Sequence, residues 1–118
     1  MALVIVSTAR FIEVSLDGAT DFDSTTDLTT LGLARNAPNG LMVKKITFHP
    51  SAASDEVIVR DGENGPRVFA AEVLGTYDLL SDKYKGDTPD TGKIMKPYIH
   101  ANETVVDAAN QAYVVFEL

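Results

Sequence analysis

The chain has 118 residues, a formal net charge of −7 and no cysteine, a length that supports one hydrophobic core and not two. The negative charge disfavours direct binding to nucleic acid or anionic lipid, which are approached through clustered Lys and Arg, and the lack of thiols excludes disulfides and thiolate zinc sites. An apolar content of 45% sets it apart from disordered chains, so residues 1–118 read as a single domain that folds without a cofactor.

Residues 1–6, Met-Ala-Leu-Val-Ile-Val, have no basic residue ahead of them and are soon followed by Arg10 and Glu13. They are too short for a membrane span, lack the pattern of a signal peptide, and predict a buried strand. Residues 11–16 partly alternate and stop at the turn pair Asp17-Gly18, which gives a second strand. From 19 to 30 Thr, Asp and Ser dominate; these side chains hydrogen-bond their own backbone, which predicts a loop with one helical turn over 27–31.

Asn36-Ala37-Pro38-Asn39-Gly40 punctuates the chain before a strand over 41–49. Its alternation puts Val43, Lys45, Thr47 and His49 on one face and Met42, Lys44, Ile46 and Phe48 on the other, with Ile46 and Phe48 the clearest inward pair, and Pro50 ends it. Residues 56–60 and 67–73 flank Asp61-Gly62-Glu63-Asn64-Gly65-Pro66 and predict a β-hairpin with a reversal longer than two residues. The segment 75–91 is mixed, a short helix or irregular strand around Tyr77, Leu79, Leu80 and Tyr84 followed by a polar loop. Residues 93–100 and 111–118 read as the last two strands, joined by a polar connection in which Val105 and Val106 add a short pairing.

Short apolar runs separated by turn clusters every 8–12 residues or so are the pattern of an all-β fold, an antiparallel β-sandwich or jelly-roll-like barrel with short helical turns in its loops.

Among chemistry-bearing groups, Asp21, Asp23 and Asp27 form the best metal candidate, since Ca²⁺ takes several oxygens from one loop. With Asp21 as the first position of a calcium loop, however, Thr26 stands where Gly is required and Gly32 where a bidentate Glu is required, which favours a solvated loop and no metal. His49 and His100 are too few for an unaided zinc site. No Ser lies in a Gly-x-Ser-x-Gly elbow; Ser7, Ser15, Ser24, Ser51, Ser54 and Ser81 read as turn or strand residues. Gly62 and Gly65 lack the Lys and Ser/Thr of a phosphate loop, and with eleven Asp and six Glu a chance carboxylate pair carries no information. The expectation is a non-enzymatic protein with no catalytic, cofactor-binding or metal-binding residues.

Residues 43–62, Val-Lys-Lys-Ile-Thr-Phe-His-Pro-Ser-Ala-Ala-Ser-Asp-Glu-Val-Ile-Val-Arg-Asp-Gly, followed by the hairpin return and a final pair of strands, resemble small tailed-bacteriophage virion structural proteins with a β-sandwich or jelly-roll fold. The resemblance covers roughly the last two-thirds of the chain. It implies a capsid decoration, cement or head–tail role, a place in the virion after assembly in the host cytoplasm, a capsid or tail protein as partner, and a trimer.

The chain ends also point to assembly. Residues 3–6 and 113–116 are apolar on both alternating faces, so each predicted strand needs cover on two sides, the second supplied either by the opposite end of the chain or by a neighbouring subunit; the expectation is a closed homo-oligomer. The second hypothesis is a carbohydrate- or ligand-binding β-sandwich module using Tyr77, Tyr84, Tyr98 and Tyr113, although Tyr98 and Tyr113 lie in apolar strands and read more simply as core or interface residues. A third is a small hydrolase or isomerase in a barrel, which needs a buried titratable pair in a cleft.

Overall fold

The computed structural model describes residues 3–8, 10–30, 40–72, 75–78, 93–108 and 110–118. Strands β1 (Val4–Ser7), β2 (Phe11–Leu16), β5 (Lys45–His49) and β11 (Ala112–Glu117) form an antiparallel sheet in the order β1-β2-β11-β5. A second antiparallel sheet has the order β3-β10-β6-β7-β8, built from β3 (Phe22–Asp23), β10 (Pro97–Ile99), β6 (Glu56–Asp61), β7 (Arg67–Glu72) and β8 (Gly75–Asp78). β4 (Leu41–Val43) pairs with β9 (Lys93–Met95) as a separate two-stranded ribbon. One α-helix, α1 (Ser24–Thr30), and a 3₁₀ turn, Ala101–Glu103, complete the described elements.

The fold is an all-β sandwich. Ile12, Val14, Val114, Phe116 and Ile46 from the first sheet share one buried cluster with Phe22, Val57, Val59, Phe69 and Ile99 from the second. Phe22 and Phe116 stack between the sheets, with ring centroids 6.1 Å apart and planes at 25°. In β11 the side chains alternate, with Val114 and Phe116 fully buried and Val115 and Glu117 on the outer face.

The predicted hairpin is present as β6 and β7. Its register runs Val59 to Phe69 and then Arg60 to Arg67, so Val68 is the extra residue of a β-bulge, and Val68 and Phe69 are both buried in spite of being adjacent. In the reversal Gly62 adopts φ +89°, and a Cβ on Gly65 would run into the Asp61 carbonyl. The Val105 pairing also forms, as an isolated bridge to Glu56 closed by N–H···O bonds of 2.8 and 3.0 Å.

Four expectations need correction. Residues 41–49 are two strands in different sheets, because the apolar phase slips at Lys44-Lys45: Leu41, Val43 and Ile46 are all buried, a spacing no single strand can bury. The run 93–100 likewise breaks at Lys96, before Pro97, so the chain changes sheets at both places and the β4–β9 ribbon joins the layers. The region 19–30 is not simply a loop, since Phe22–Asp23 pairs with β10 and the helix starts at Ser24, three residues before the predicted turn; Leu31 lies outside the described residues. β1 is an edge strand, not a buried one, with Val4 and Val6 50% and 52% exposed. Of the mixed segment 75–91, Gly75–Asp78 is a strand and the remainder lies outside the described residues.

Candidate functional site

A cluster of ionisable groups lies beside the β6–β7 reversal. Arg60, on β6, donates from Nε and an Nη to the two carboxylate oxygens of Glu103 at 2.9 and 2.7 Å, and from its other Nη to the Gly65 carbonyl at 3.0 Å. This fork ties the hairpin reversal to the 3₁₀ turn. The bond from Arg60 is the main cause that holds the Glu103 carboxyl below its usual range, against burial, and the Glu103 bond raises the guanidinium in turn.

Asp21 forms the second half of the cluster. Its carboxylate accepts the Ala101 N–H at 2.7 Å and the Tyr98 hydroxyl at 2.9 Å. The Ala101 bond is the largest cause of its lowered pKa; burial opposes that shift, and Tyr98 and the nearby His100 add to it. Burial, then the bond to Asp21, pushes the Tyr98 phenol upward. His100 Nε2 lies 2.5 Å from the Glu63 carbonyl, which only accepts, so Nε2 carries a hydrogen; Nδ1 faces Asp21 at 3.7 Å. The His100 ring also lies 4.6 Å from that of Tyr98. Arg60, Glu63, Asn64, His100, Asn102 and Glu103 line an open depression of about 290 Å³. Its walls can hydrogen-bond a polar solute, while Glu103 within it and Asp21 beside it are already engaged by neighbouring donors.

The three aspartates of the candidate calcium loop have separate tasks. Asp21 serves the cluster just described. Asp23 accepts the Thr25 N–H and hydroxyl at 3.0 and 2.7 Å at the start of α1, and Asp27 reaches back to the Asp23 N–H at 2.9 Å, a reciprocal cap of the helix. Among the described residues no group of three His, Asp or Glu is placed to hold a metal ion. His49, on β5, stacks on Tyr113 at 4.4 Å and 14°, whereas His100 follows β10 in the other sheet. Tyr98 is buried among core residues and Tyr113 is half-buried on the outer face of the four-stranded sheet; nothing is described of the Tyr77 and Tyr84 side chains. Ser51 lies in the turn after β5, where its N–H and hydroxyl both donate to Asp55.

The sequence pattern does not reveal Asp55, the Arg60–Glu103 pair or the role of Asp21. Asp55 is fully buried and accepts from the N–H groups of Ser51, Ala52 and Asp107 and from the Ser51 hydroxyl. The one available signal is Ser51 four residues ahead of Asp55 in a short turn.

The outer face of the four-stranded sheet is the second candidate. Register places Val4, Ser15, Tyr113 and His49 in one row and Val6, Glu13, Val115 and Thr47 in the next. Val4, Val6 and the neighbouring Phe11, 45% exposed, form an apolar strip along the β1 side. The terminal segments 3–6 and 113–116 therefore share one sheet with β2 between them, and the second face of β1 stays open to solvent.

No protein-family model matches the chain, and neither does any curated protein or solved structure. Among the described residues no helix is long and apolar enough to cross a membrane.

Proposed function

We propose that the chain is a non-enzymatic structural protein that works by assembly, a component of a tailed-bacteriophage virion such as a capsid decoration or cement protein. The observation that carries this reading is the strip Val4, Val6 and Phe11 on the outer face of the four-stranded sheet, exposed apolar area that lies outside the buried core. The virion assignment rests on the resemblance of residues 43–62, the hairpin return and the final pair of strands. In this reading the acidic surface favours a protein partner over nucleic acid. The test is the gene's neighbourhood followed by co-sedimentation: a place beside major capsid or portal genes, and binding to shells of the capsid protein encoded there, is the expected result. A neighbourhood without virion genes and no shell binding would contradict it.

The second reading, a carbohydrate- or ligand-binding module, is favoured by the polar depression around Arg60, His100 and Asn102. A glycan array separates the two: reproducible sugar binding abolished by Asn102→Ala supports the module, and a blank array removes it.

A further inference from the structure

The edge of β1, unpaired among the described residues, presents a self-complementary strand. The Thr8 N–H donates to the Phe11 carbonyl at 2.8 Å, which makes Thr8–Phe11 a hydrogen-bonded pair of the β1–β2 ladder. Such pairs alternate along an antiparallel ladder, so Val6 and Val4 also turn their backbone groups toward β2, through Glu13 and Ser15. The far side of β2 agrees: the Leu118 N–H donates to the Arg10 carbonyl at 2.7 Å, so Ile12, Val14 and Leu16 bond β11 and leave Glu13 and Ser15 for β1. The backbone groups of Ile5 and Ser7 consequently point out of the sheet, and among the described residues nothing pairs with them.

This edge lacks the features that blunt β5 and β3. β5, the opposite edge of the same sheet, contains Lys45 and is flanked by Lys44 and Pro50, and β3 is only two residues long. β1 has no Lys, no Pro and no bulge, and its Val-Ile-Val run reads the same in both directions. An antiparallel second copy therefore meets matching chemistry across that run.

We propose that two copies of the chain pair β1 against β1 about a two-fold axis through Ile5, joining their four-stranded sheets into one. Ile5 lies opposite the second copy's Ile5, Val4 opposite its Val6, and Leu3 opposite its Ser7, which closes about six backbone hydrogen bonds from groups unpaired among the described residues. The Val4 and Val6 side chains then form one apolar patch across the axis on the outer face, continuous with Phe11 of both copies. A two-fold contact closes at two subunits, which differs from the trimer implied by the phage resemblance. This inference rests on the assembly reading above and names its first contact.

The absence of native cysteine makes the register directly readable. Val4→Cys and Val6→Cys chains are prepared separately and oxidised alone and as a mixture, with light scattering on the unmodified protein and on Ile5→Pro and Val115→Lys. Ile5→Pro removes an outward N–H and spares the β1–β2 ladder; Val115→Lys changes the face and spares the edge. The expected result is a disulfide dimer that forms at least tenfold faster in the mixture than in either chain alone, a two-subunit mass for the unmodified protein, and a monomer for Ile5→Pro. If Ile5→Pro remains oligomeric while Val115→Lys dissociates, or if a three-subunit mass accompanies no preference for the mixture, the edge contact is wrong and the assembly reading stands. A monomeric unmodified protein would overturn both.

Discussion

The Asp55 carboxylate accepts the backbone N–H of Asp107 at 2.9 Å, across 52 positions of sequence, while its other oxygen gathers the Ser51 and Ala52 N–H groups and the Ser51 hydroxyl. This one side chain, with no exposed surface, fixes the turn between β5 and β6 to the connection leading into β11. Asp55→Ala leaves buried donors without an acceptor and is expected to cost about 3 kcal/mol of stability in urea denaturation. An effect below a few tenths of a kcal/mol would show that the turn is held by other contacts.

The same group sets a pH dependence. Burial acts to raise the Asp55 pKa, but the bonds from Ser51, Asp107 and Ala52 together outweigh it and hold the carboxyl below its ordinary value; Asp21 is lowered as well. A folded pKa below the unfolded one adds stability that is complete above the unfolded value, about 4, and is lost as pH falls through the folded value. Thermal melting should therefore shift downward below about pH 4, and Asp55→Asn should flatten that shift. An unchanged acid limb in the variant would assign the effect elsewhere.

In the β6–β7 reversal two glycines have different reasons to be there. Gly62→Ala meets no neighbour but forces a side chain to φ +89°, an expected loss of about 1–2 kcal/mol. Gly65→Ala clashes with the Asp61 carbonyl, so the backbone must move and the Arg60 bond to the Gly65 carbonyl goes with it. Gly65→Ala should be the more destabilised of the two in parallel melts; the reverse order would contradict this geometry.

Much of the fold is legible in the residues. Alternation in Phe11–Leu16 and Ala112–Glu117, and the turn cluster between Val59 and Phe69, are local signals that the packing leaves intact. The features that are not legible depend on distant partners. Lys44 looks like part of one strand until Leu41–Val43 pairs with β9 and Lys45–His49 with β11, and Phe22 becomes a strand residue only because Ile99 lies opposite it. Asp21 and Tyr98 are 77 positions apart and Arg60 and Glu103 are 43 apart, so no motif spacing could have joined them. The apolar run at residues 3–6 is plain in the sequence, but its place at a sheet edge, with Val4 and Val6 open to solvent, depends on which strands pair with β2.

On the outer face Val6 lies directly opposite Glu13. Val6→Lys adds a favourable cross-strand pair, roughly 0.2–1 kcal/mol, and places a charge on the apolar strip. The variant should melt no lower than the unmodified chain under conditions where both are monomeric, and yet associate more weakly. Val6→Glu, facing Glu13 with like charge, should both melt lower and dissociate. Equal association by all three proteins would show that the strip is not an interface.

If this domain works by assembling, the solution mass of the unmodified chain shows it most directly. Light scattering across micromolar concentrations should report a closed multiple of the subunit mass, two subunits if the β1 edge is the contact, falling to one subunit only on dilution or with Ile5→Pro. A strictly monomeric mass throughout that range, with Ile5→Pro and Val115→Lys folded and indistinguishable from the unmodified chain, would contradict it.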